Sequence, residues 1–102
     1  MNISKRWIVY DRNGYAIYLT DERWSHILEF HCEMAHFEDE LITTLKRGSR
    51  KQDPLDTSVY SYFHSCDHLP DRHTHVIVIV KFKTRSNCFV LTAYQKTLYS
   101  QR

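Results

Sequence analysis

Glycine and proline are scarce, two of each in 102 residues, so the chain has few flexible linkers. No repeat or low-complexity segment divides it, and residues 1–102 read as a single domain. No apolar run reaches membrane-spanning length, and no apolar stretch follows the basic residues of the opening Met1-Asn2-Ile3-Ser4-Lys5-Arg6. Neither a membrane association nor a signal peptide is therefore expected. Three cysteines, Cys32, Cys66 and Cys88, are an odd number at irregular spacing, which argues for reduced thiols and a cytoplasmic location. The formal charge of +2 is too small for the total alone to imply nucleic acid. No pair of carboxylates occurs within the expected strands, so two-metal nuclease chemistry is not expected.

What the chain does have is rings with polar tips: seven Tyr and seven His, against 42% hydrophobic and 25% charged residues overall, an ordinary globular balance. Trp7 to Tyr10 and Tyr15 to Leu19 are β-rich runs around Asn13-Gly14, a pair suited to a tight hairpin turn. Thr20 can cap a helix starting at Asp21, with Trp24, Ile27, Leu28 and His31 on one face. A second helix is expected from about His36 to Arg47, stopped by Gly48, followed by a loop to Thr57. Ser58 to Phe63 reads as a third strand. The order β-β-α-α-β-β-β predicts an α+β domain, with two helices on one face of a four- to five-stranded antiparallel sheet.

The last two strands carry the densest signal. His73 to Lys83 and Cys88 to Lys96, separated by Thr84-Arg85-Ser86-Asn87, form an antiparallel hairpin with two unlike faces. Strict alternation assigns Val76, Val78, Val80, Phe82, Phe89, Leu91 and Ala93 to the core. It leaves His75, Lys81, Thr92 and Tyr94 on the reverse side. Such a polar face is suited to holding a phosphate and moving a proton.

The run Leu19-Thr20-Asp21-Glu22-Arg23-Trp24-Ser25-His26-Ile27, then His31-Cys32-Glu33-Met34, a basic helix end, a Tyr-containing strand and the closing Phe89-Val90-Leu91-Thr92-Ala93-Tyr94 span most of the chain. Together they resemble the phage-associated branch of the barnase/EndoU/colicin/RelE-like ribonuclease superfamily. The resemblance implies a small metal-independent endoribonuclease without cofactor, with RNA as substrate and an antitoxin protein as partner. It implies a catalytic set of His26, Lys81, Thr92 and Tyr94, with cleavage by ribose 2′-hydroxyl attack and 2′,3′-cyclic phosphate products. The chain departs from the pattern at Cys32, where a proline that would fix the inter-helix turn is expected.

Taken residue by residue, Thr92 and Tyr94 sit two apart, and a hydroxyl pair can hold a phosphate oxygen. The plain alternative is that both are simply good strand formers. Lys81 would neutralise phosphate charge, or else be a solvated lysine. His75 lies six residues before it, about 20 Å along a strand, so the two do not share one phosphate. His26 points away from its helix's apolar side and acts only if that helix overhangs the sheet.

Lys46, Arg47, Arg50 and Lys51 form the densest basic patch, which also complements a helix C-terminus. Tyr60 and Tyr62 are candidate stacking surfaces for single-stranded RNA. A rival reading makes the same face a non-catalytic RNA- or protein-binding surface. A further one makes Cys66-Asp67-His68 with His73-Thr74-His75 a zinc loop, although that spacing fits no common finger. Outer strands of an open sheet leave room for a homodimer.

Overall fold

The computed structural model describes residues 4–98. The part of the signal-peptide expectation that falls on residues 1–3 lies outside them. The order is β1 (Lys5–Tyr10), β2 (Ala16–Thr20), α1 (Asp21–Phe30), a 3-10 turn (Cys32–Met34), α2 (Glu38–Arg47), β3 (Ser49–Gln52), β4 (Val59–Ser65), β5 (His75–Thr84) and β6 (Asn87–Lys96). The class is α+β, as expected, but the sheet is larger and of another kind. It has six strands in the order β1-β2-β6-β5-β4-β3, and it is mixed, because β2 runs parallel to β6.

Local chemistry accounts for the element ends. Gly14 takes a φ of +86° in the turn between β1 and β2, a backbone region that suits glycine. Asp11 organises the same turn, its Oδ1 accepting the amides of Asn13 and Tyr15, each at 2.9 Å. Thr20 caps α1 by accepting the Arg23 amide at 3.1 Å, with Asp21 and Glu22 in the first turn. Helix α2 begins at Glu38 rather than His36, with three acidic residues in its first turn and Lys46 and Arg47 in its last. Gly48 ends it in an extended conformation. A Cβ there would collide with the Thr44 carbonyl oxygen and lie 2.6 Å from that of Phe63. Glycine is needed because the Thr44 carbonyl of α2 and the Phe63 carbonyl of β4 both come so close, not for a left-handed cap.

One core joins both helices to one side of the sheet. Trp24, Ile27, Met34, Leu41 and Leu45 meet Ile17, Leu19, Tyr62, Val76, Val78, Val80, Cys88, Val90 and Ala93. Each fully buried aliphatic side chain contributes about 1.5–3 kcal/mol. The expected face assignment holds on β5 and fails on part of β6. Ile79 pairs with Thr92 but Val80 pairs with Val90, so Leu91 is an extra residue in a bulge. Before that bulge the faces are exchanged: Cys88 and Val90 are buried, while Phe89, opposite Lys81, turns to the other side; Leu91, expected in the core, is only half-buried in the bulge.

The segment read as a loop after Gly48 contains β3, whose Ser49, Arg50, Lys51 and Gln52 pair with Phe63, Tyr62, Ser61 and Tyr60. It is a polar edge strand. At the other side, β2 pairs with β6 only through Ile17–Cys88 and Tyr18–Phe89. From Thr92 to Lys96 no strand among the described residues lies there, and α1 and the 3-10 turn pack against β6 instead. The Gln95 side-chain amide donates to the Glu33 carbonyl at 3.0 Å, tying that turn to the strand.

Candidate active site on the open sheet face

The sheet face opposite the helices carries Val59, Ser61 and Phe63 of β4, His75, Ile77, Ile79 and Lys81 of β5, and Phe89, Thr92 and Tyr94 of β6. Most of these are half-buried; Ile77, between Phe63 and Tyr94, is buried. Thr92 and Tyr94 thus keep the face expected of them, because the bulge lies before them.

The histidine beside Tyr94 is His31. Its ring centroid lies 5.6 Å from that of Tyr94, at an interplanar angle of 32°. His31 closes α1, with its amide donating to the Ile27 carbonyl at 2.6 Å. It follows Trp24 and Ile27 at helical spacing, and these two are buried, so the helix carries it toward the sheet. Glu33 stands 3.6 Å from the His31 Nδ1. His26 lies on the outer side of α1, exposed, against Phe30 at 4.7 Å between ring centroids.

His75 also belongs to this end of the face. It pairs with Lys96 while Ile77 pairs with Tyr94, which makes His75 a diagonal neighbour of Tyr94, a relation spanning about 7–8 Å. Its Nδ1 meets the Thr74 hydroxyl at 2.7 Å. Lys81 is at the other end, paired with Phe89, and four residues along β5 from the partner of Tyr94, roughly 13 Å. Its ammonium donates to the Ser58 hydroxyl and to Asp56 at 3.4 Å. The Asp56 carboxyl is held below its usual range, first by the Ser58 hydroxyl and amide and then by Lys81. The structure therefore groups Thr92, Tyr94, His75 and His31, and it sets Lys81 and His26 apart from them.

The basic patch is divided. Lys46 and Arg47 are exposed at the end of α2, and Lys51 is exposed on the open face. Arg50 points to the helix side, where its guanidinium lies 4.3 Å from the Tyr60 ring, 5.3 Å from Tyr15 and 5.6 Å from Phe82. Tyr60 is thus covered by Arg50 and Phe82 rather than open to a base. Tyr62 offers no stacking surface at all, being 1% exposed in the core, with its hydroxyl donating to the buried Asp11. Burial, and then that carboxylate, push its phenol well above the usual value.

Two residues escaped the sequence reading. His31 was legible as the last member of the Trp24 face, a position that points inward; Glu33, two residues on, had no local signal as its partner. Comparison with protein-family models, with curated proteins and with solved structures finds no match to this chain.

Proposed function

We propose that this chain is a metal-independent endoribonuclease whose centre is formed by His31, Tyr94, Thr92 and His75. The observation that carries the reading is the placement of His31 against Tyr94, at the end of a sheet face that no helix covers among the described residues. Two imidazoles flanking a phenol and a hydroxyl can divide the labour of phosphodiester cleavage. One imidazole removes the proton of a ribose 2′-hydroxyl, which attacks the adjacent phosphorus. The other protonates the departing 5′-oxygen, and the product end is a 2′,3′-cyclic phosphate. Tyr94 orients the reacting imidazole and the phosphate, and Thr92 donates to a non-bridging oxygen. Lys51 and Lys81, on the same face, add positive charge along the path of the RNA backbone.

The resemblance to the barnase/EndoU/colicin/RelE-like superfamily supports this reading and adds a setting, a growth-inhibiting toxin held in check by an antitoxin protein that covers the same face. The test is incubation of purified protein with mixed RNA in magnesium-free buffer, with and without EDTA, below the melting temperature of the chelated protein. Cleavage in both buffers, with cyclic phosphate at the new 3′ ends and loss in Tyr94→Phe, is the expected result. RNA retained on the protein but uncut would instead favour a non-catalytic binding surface.

A further inference from the structure

On the helix side, away from the open face, α2 meets the segment that follows β4. There Glu40, Cys66 and His68 bring one ligand atom each within 4.8 Å of one another. The His68 Nε2 lies 2.7 Å from a Glu40 carboxylate oxygen and 3.6 Å from the Cys66 sulfur. The three border a cavity of about 380 Å³ that His64 and Asp67 also line.

We propose that Glu40, Cys66 and His68 bind a zinc ion. Thiolate, imidazole and carboxylate are all zinc donors, at about 2.3, 2.0–2.1 and 2.0–2.2 Å respectively. Tetrahedral angles at those lengths set the sulfur–nitrogen edge at about 3.6 Å, the separation of Cys66 and His68 here. The nitrogen–oxygen edge would be about 3.3 Å, so Glu40 needs to withdraw by roughly half an ångström from its present hydrogen bond. The fourth position opens into the cavity, toward His64 or water.

The surroundings hold the donors in place. Phe37 stacks on His68 at 6.2 Å between ring centroids, and Leu69, the next residue, is buried in the core. The Cys66 amide donates to the Thr74 carbonyl at 2.9 Å, so the segment is pinned at both ends. The zinc loop considered from the sequence grouped Cys66 and His68 with His73 and His75. His73 is bonded to Gln95 and His75 to Thr74, whereas the third donor comes from α2 and lies 26 residues before Cys66. The ion would clip the 66–74 connection to α2 and act structurally, with no part in RNA cleavage.

The test is titration of the reduced full-length chain, freed of metal by chelation, with cobalt(II) and then with zinc(II). One equivalent of cobalt should give a thiolate charge-transfer band and intense visible absorption of a tetrahedral site, displaced by zinc. Cys66→Ser should abolish the charge-transfer band. His68→Ala and Glu40→Gln should weaken cobalt affinity by at least about tenfold, with melting of the metal-free variants checked alongside. Zinc should also slow iodoacetamide labelling of Cys66 while leaving that of the exposed Cys32 unchanged. Absence of the band, or a band and labelling pattern unaffected by all three substitutions, would overturn the site. It would leave Glu40 and His68 as a hydrogen-bonded pair. Should Cys66→Ser fail to fold, the labelling experiment on the wild type and the titration of Glu40→Gln decide the matter.

Discussion

The hydroxyl of Tyr62, on β4, donates to the carboxylate of Asp11, in the turn after β1, across 51 residues of sequence. Asp11 is buried, and its other oxygen accepts two turn amides, so one carboxylate joins the outer hairpin to the far side of the sheet. Tyr62→Phe would leave a buried carboxylate oxygen without its partner. The expected loss is about 1–3 kcal/mol in urea unfolding, the cost of an unsatisfied buried acceptor. An unchanged midpoint would mean that water reaches Asp11 easily.

Gly48→Ala is expected to destabilise the fold by about 1–3 kcal/mol or more, as overpacking against rigid atoms does. The added methyl meets two backbone carbonyl oxygens, which cannot swing aside as a side chain can. Gly14→Ala tests a different cause, strain at positive φ in open space, and is expected to cost about 1–2 kcal/mol. Thermal melting of both variants separates close approach from backbone conformation.

Acid should weaken the contact between β1 and α2. Glu38 accepts from Arg6 and from the Trp7 indole at 2.8 Å, and its carboxyl is held below the usual range, chiefly by the Arg6 hydrogen bond. A carboxyl whose folded-state pKa is depressed contributes stability above its unfolded value of about 4.3, and loses it as pH falls through the folded value. Unfolding midpoints measured from neutral pH down to about pH 3 should therefore fall less steeply in Glu38→Gln than in the wild type. The neutral-pH difference should be small, because the pair is partly exposed.

The legible parts of the fold were those with local causes. Asn13-Gly14, the Thr20 cap and the β-branched runs of β5 and β6 each mark an element from within a few residues. Strand β3 had no such mark. With Ser49, Lys51 and Gln52 all exposed, Ser-Arg-Lys-Gln has no buried face to impose alternation. The parallel pairing of β2 with β6 joins segments 71 residues apart at Ile17 and Cys88, and no local pattern encodes it. The bulge at Leu91 then inverted the face of Phe89 while leaving Thr92 and Tyr94 on the face alternation assigned them.

The candidate site was legible to the same extent. Thr92, Tyr94 and His75 follow from strand alternation and lie on one face. Periodicity set His31, at the C-terminal end of α1, on the inward side and His26 on the outer side; what it did not encode is where that helix end meets the sheet, beside Tyr94. His31 continues the buried Trp24–Ile27 side, and His26 does not.

The most direct test compares initial rates of RNA cleavage by His31→Ala and His26→Ala, each checked for a native melting curve. Loss of a general acid or base costs about 10²–10⁴ in rate, so His31→Ala should fall by at least about 100-fold, whereas His26→Ala should stay within about threefold of the wild type. Full activity in His31→Ala, or the large loss falling on His26→Ala instead, would contradict the assignment of the site to the His31–Tyr94 pair.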